Sequence, residues 1–148
     1  MPVRINPYFK VKDGGVYASD CDDTLVMWNI PPGYKGELLK VYTNGHIEEC
    51  IVNKPAVEHL KKMKRRSFSV VVWSAGGSDW AEAVVKALKI EDFVDVVMPK
   101  IDYHLDDVSD PKDKIGKWQY INMQGDVFSL DDNGKVQKRK KNELIGDI

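Results

Sequence analysis

Apolar residues along this chain fall into short runs divided by turn-forming residues, and the runs predict strands alternating with helices. A first strand is read over residues 16–19. A long excursion over about 28–53 follows, opening on the loop signal Ile30-Pro31-Pro32-Gly33. Two strand-like runs, 38–43 and 46–52, then flank Asn44-Gly45, the strongest short hairpin signal. They predict a β-hairpin flap over the carboxyl end of the first strand. Asn53 can cap a helix that carries Pro55 in its first turn and runs to about residue 66. Residues 68–73, continuously apolar apart from Ser69, read as a buried strand. After the turn Ser74-Ala75-Gly76-Gly77, Ser78 can cap a second helix from 79 to about 88, whose Trp80, Val84 and Leu88 recur on one face. Residues 93–98 predict a third strand and 102–105 a short fourth. Further strands are read in 115–123 and 125–137, the latter turning at Asp131-Asp132-Asn133-Gly134.

This alternation predicts an α/β fold with a central, mostly parallel sheet flanked by helices. Its additions are the flap at about 28–53 and a C-terminal antiparallel extension, a β-hairpin and basic tail, at about 122–148. At 148 residues the chain is expected to be a single domain, 1–148, with a real core. Charged residues at 30% and a net charge of -1 give no global case for nucleic acid or membrane as partner. No run reaches the length of a membrane span, and the N-terminus has no signal-peptide core, so the cytoplasm (a host's, if the protein is viral) is the expected compartment. Cys21 and Cys50 make no disulfide or metal pattern, and His46, His59 and His104 are too dispersed for zinc. The basic clusters 61–66 and 138–141 read as a solvated helix face and a tail.

The first strand leads into Asp20-Cys21-Asp22-Asp23-Thr24. Ionised groups at the end of a buried strand are costly to desolvate unless something pairs with them. A divalent cation and a phosphate would do so at the carboxyl edge of a parallel sheet, where such sheets bind ligands. An aspartate can attack phosphorus, and a second acid must then protonate the leaving oxygen and deprotonate water. Asp20 fits the first role and Asp22 the second, with the Thr24 hydroxyl holding the turn. Ser74 ends the second strand, where its hydroxyl and the following glycine-rich turn could meet a phosphoryl oxygen; equally, Ser74 starts a glycine turn. Lys100 ends the third strand and can stabilise the transferring group, and Asp106-Asp107 can complete a metal site.

With these residues in view, the chain resembles phosphatases of the haloacid dehalogenase (HAD) superfamily. The first motif of that family, Asp-x-Asp-x-Thr after an apolar strand, matches Asp20-Cys21-Asp22-Asp23-Thr24. The second, an apolar strand ending in Ser or Thr, matches Val70-Val71-Val72-Trp73-Ser74. Lys100 is the best match for the third, and Tyr103-His104-Leu105-Asp106-Asp107 for the fourth. The segment from Val71 to Ala81 is also similar to small capless HAD-like phosphatases of tailed bacteriophages. The resemblance implies a HAD-like, Rossmann-type fold and a magnesium-dependent phosphomonoester hydrolase with an aspartyl-phosphate intermediate. It implies Asp20 as nucleophile, Asp22 as general acid and base, and Lys100 with them in catalysis. Ser74, Ala75, Gly76 and Thr24 would bind the phosphoryl group, and Asp20, Asp22, Asp106 and Asp107 would hold Mg2+.

Lys112 and Lys114 rival Lys100 for the third motif, and Asp131-Asp132 rivals Asp106-Asp107 for the fourth. The small flap suits a phosphate on a bulky molecule, so the expected partner is a nucleotide, a nucleic acid end or another phosphomonoester. Trp28, directly after the acidic loop, could line the entrance and stack a base. The alternatives are phosphotransfer at the same site and a catalytically silent binding protein on the same scaffold.

Overall fold

The computed structural model describes residues 4–5, 14–107 and 117–139. Its elements run β1 (Arg4–Ile5), β2 (Val16–Asp20), β3 (Val26–Met27), β4 (Leu39–Thr43), β5 (His46–Val52), α1 (Lys54–Arg65), β6 (Ser69–Ser74) and α2 (Ser78–Leu88). They continue with β7 (Val96–Pro99), β8 (Gln119–Ile121), β9 (Val127–Leu130) and β10 (Val136–Arg139). One sheet has the order β1-β7-β6-β2, with β2, β6 and β7 parallel and β1 antiparallel at its edge.

β6 is the centre of that sheet because Val70, Val71 and Val72 are buried and both of its edges are paired. α1 turns Ala56, Val57, Leu60 and Met63 inward and leaves its cations Lys62, Lys64 and Arg65 in the last turn, where they complement the helix dipole. α2 buries Ala81, Val84 and Val85, so its inner face is centred beside the expected Trp80, Val84 and Leu88 stripe. Trp80 and Leu88 pack half-buried at its margins. Neither expected helix cap forms: Gly77 is the N-cap residue of α2, Ser78 lies inside the helix, and Asn53 precedes α1 without a side-chain cap bond.

An ion pair braces the amino ends of β6 and β7. Lys64 Nζ lies 2.7 Å from Asp95 Oδ1, and Asp95 Oδ2 accepts the Val70 N–H at 2.8 Å. The Asp95 N–H returns a bond to the Val70 carbonyl, also at 2.8 Å. Asp95→Asn, which keeps the shape and removes the charge, is expected to cost about 1–2 kcal/mol. A thermal melt should therefore fall by about 3–6 °C.

The expected HAD-like architecture, a central parallel sheet flanked by helices, is overturned. Only three strands run parallel, and six others form two three-stranded antiparallel sheets, β3-β5-β4 and β10-β9-β8. Among the described residues there are two α-helices. The physical reason lies in the connections. Parallel neighbours need a crossover of about a dozen residues or more. The expected fourth strand at 102–105 begins only three residues after β7, and it is not a strand: Tyr103 and Leu105 are 94% and 101% exposed. Elsewhere the chain carries tight turns that make antiparallel pairs. The β4–β5 hairpin reverses at Asn44-Gly45, both with positive φ (46° and 80°), as a twist-matched two-residue turn requires. β9 and β10 reverse through Asp131 to Lys135, where the Asp131 carboxylate accepts the N–H groups of Asn133 and Lys135. Asp131 thereby serves the hairpin turn.

Candidate active site

The register aligns three strand ends on one edge: Asp20 lies opposite Trp73, and Ser74 lies opposite Pro99. Beyond Asp20 the chain closes a tight loop. The Cys21 carbonyl accepts the N–H groups of Thr24, Leu25 and Val26 at 3.2, 2.9 and 3.2 Å, and Asp23 N–H donates to Val26 O at 2.7 Å. Asp23 takes a left-handed φ of 57° to make the bend, a conformation that short polar side chains tolerate. Fully buried Cys21, Leu25 and Val26 anchor the loop in the core. Asn53, also fully buried, holds it from behind: its Nδ2 donates to the Thr24 carbonyl at 2.8 Å and to the Ile121 carbonyl at 2.7 Å.

Asp20 and Asp22 are half-buried on this loop. The Thr24 hydroxyl reaches Asp20 Oδ2 at 3.5 Å, the outer limit of a hydrogen bond. Asp22 Oδ1 accepts two indole N–H groups, from Trp28 and Trp80, each at 2.9 Å. The two indoles pack on each other with centroids 5.3 Å apart. Asp22, Trp28, Glu48, Gly76 and Trp80 line an open cleft of about 400 Å³.

The other expected site residues divide. Ser74 is fully buried, and its Oγ accepts the Gly76 N–H at 3.0 Å, so in this structure it builds the turn. Ala75 and Gly76 are exposed at the same edge. A Cβ at Gly76 would stand 3.3 Å from both Ser74 Oγ and the Trp80 ring, a tight fit that the absence of a side chain relieves. Lys100 is exposed just past β7, and its N–H donates to the Ser74 carbonyl at 2.8 Å. It shares the edge but stands two strands, about 10 Å, from β2. Asp106 and Asp107 are on an exposed stretch, where Asp106 Oδ1 accepts the Asp107 N–H. Among the described residues no three His, Cys, Asp or Glu side chains come together to hold a metal ion. The expected Mg2+ set of Asp20, Asp22, Asp106 and Asp107 is therefore not assembled: the short link after β7 leaves the last two in an exposed stretch outside any sheet. Lys112 and Lys114 lie outside the described residues.

The thiol beside the two carboxylates is unsuited to attack. Burial pushes the Cys21 thiol far up, and the charges of Asp22 and Asp20 push it further. Burial, then Asp22, raises Cys50 to about 11. Nucleophilic cysteines need the opposite surroundings.

Three residues escaped the sequence reading in their actual roles. Trp80 read as part of the apolar face of the second helix, Asn53 as a helix cap, and Glu48 as one residue of a hairpin strand. Only Trp28, by its place after the acidic loop, carried a signal. No family model matches the chain, and neither a curated protein nor a solved structure matches it. No helix among the described residues is long and apolar enough to cross a membrane.

Proposed function

We propose that this protein is a cytoplasmic phosphomonoester hydrolase working through an aspartyl-phosphate on Asp20. The observation that carries the reading is the loop itself: Asp20 and Asp22 leave one strand end together, on a backbone tied down by the Cys21 carbonyl and the Asn53 amide. With Thr24 on Oδ2, the other Asp20 oxygen is open to attack phosphorus. An Asp20–phosphorus bond forms, the bond from phosphorus to the substrate oxygen breaks, and Asp22 gives that oxygen its proton. Asp22 then takes a proton from water, which attacks phosphorus, releasing inorganic phosphate and restoring Asp20. Lys100, on the same edge, supplies positive charge that favours an approaching phosphate.

Magnesium enters the proposal through the resemblance of Asp20-Cys21-Asp22-Asp23-Thr24 to the HAD first motif. Asp20 and Asp22 are the residues that would hold it, and among the described residues no group of three His, Cys, Asp or Glu side chains forms a ready ligand set. The open cleft and its indoles favour a nucleotide or nucleic acid end as substrate, since bases stack on aromatic faces. The test is phosphate release from nucleotides, oligonucleotides with terminal phosphates, and sugar phosphates, with magnesium and with chelator. Release from the first two, lost on chelation, is expected. Magnesium binding without any turnover would favour the silent binding protein instead.

A further inference from the structure

Asp22 Oδ1 is doubly occupied. A carboxylate oxygen has two lone pairs, and the Trp28 and Trp80 indole N–H groups both donate to this one at 2.9 Å. Among the described residues nothing donates to Oδ2. The two indoles come from different parts of the chain, the end of the acidic loop and the first turn of α2, and brace each other ring to ring at 33°. Indole is a donor only, so neither ring can exchange roles with the carboxylate. The small Gly76 lets the Trp80 ring approach the turn.

We infer that Trp28 and Trp80 are positioning residues that clamp Asp22 by Oδ1 and present Oδ2 as the oxygen that hands the proton to the leaving group. This inference rests on the phosphatase reading above. Proton transfer depends on heavy-atom placement within hydrogen-bond reach, so a carboxylate fixed at one oxygen has its other oxygen aimed before substrate arrives. A clamp of this kind matters only when the leaving oxygen needs a proton.

The test compares Trp28→Phe and Trp80→Phe, which keep an aromatic ring and delete the N–H, on two substrates. Glycerol 2-phosphate has an alkoxide leaving group that must be protonated, whereas p-nitrophenyl phosphate leaves as a stable anion. The ratio kcat/KM covers the steps up to leaving-group departure. For each variant it is expected to fall about ten-fold on glycerol 2-phosphate and less than about two-fold on p-nitrophenyl phosphate. Should one variant fail to fold, the other carries the comparison. Equal losses on both substrates would mean that the indoles merely shape the cleft, and no loss on either would mean that they do not act through Asp22; both overturn the clamp and leave the phosphatase reading intact. A wild-type protein inactive on every phosphomonoester would remove that reading and the clamp with it.

Discussion

Asp20→Asn protein is expected to fold as the wild type does and to release no phosphate above background. A neutral amide cannot form the acyl phosphate, so the loss should reach about 10⁴-fold or more, the scale on which removing a nucleophile acts. Stability should hardly change. The Asp20 carboxylate is half-buried, and its one side-chain partner is a hydroxyl at 3.5 Å, a contact too long to contribute much. Circular dichroism and a thermal melt separate the two effects: an unchanged melt with turnover gone is the expected pair. Turnover surviving the substitution would move the nucleophile elsewhere, and the neighbouring thiol is a poor candidate, since burial and two adjacent carboxylates hold Cys21 protonated.

Features decided within a few residues were legible in the sequence; those decided across the fold were not. Asn44-Gly45 dictated a hairpin because the turn alone demands two positive φ values. Asp131-Asp132-Asn133-Gly134 did the same through carboxylate bonds to its own backbone. The apolar run at β6 announced a buried strand, and its burial and pairing on both edges bear that out. Residues 102–105 failed as a strand because their apolar content is broken by Asp102 and His104, and because the link from β7 is too short to cross over to a parallel position. The acid pair Asp106-Asp107 depended on that strand to reach Asp20, and in this structure it lies instead on an exposed stretch. The indole clamp on Asp22 joins residues 22, 28 and 80, and no local pattern encodes a contact of that span.

Asn53→Ala should be strongly destabilising although the residue lies outside the acidic loop. Asn53 is fully buried, and its amide donates to both the Thr24 and the Ile121 carbonyls. Truncation leaves both carbonyls dry and opens a small cavity, together costing about 2–4 kcal/mol. Against a total stability of about 5–15 kcal/mol this is a large fraction. The melt should fall by about 6–12 °C. Asn53→Asp is the sharper comparison. It has the same shape but replaces the donor with an acceptor facing two carbonyl oxygens, so it should destabilise at least as much as alanine despite leaving no cavity. An aspartate milder than alanine would show that volume, and not the amide's donors, is what matters at this position. Activity should fall as well, although Asn53 lies behind the loop: releasing the Thr24 carbonyl loosens the backbone that aims Asp20 and Asp22, and small misplacements of reacting groups cost rate steeply.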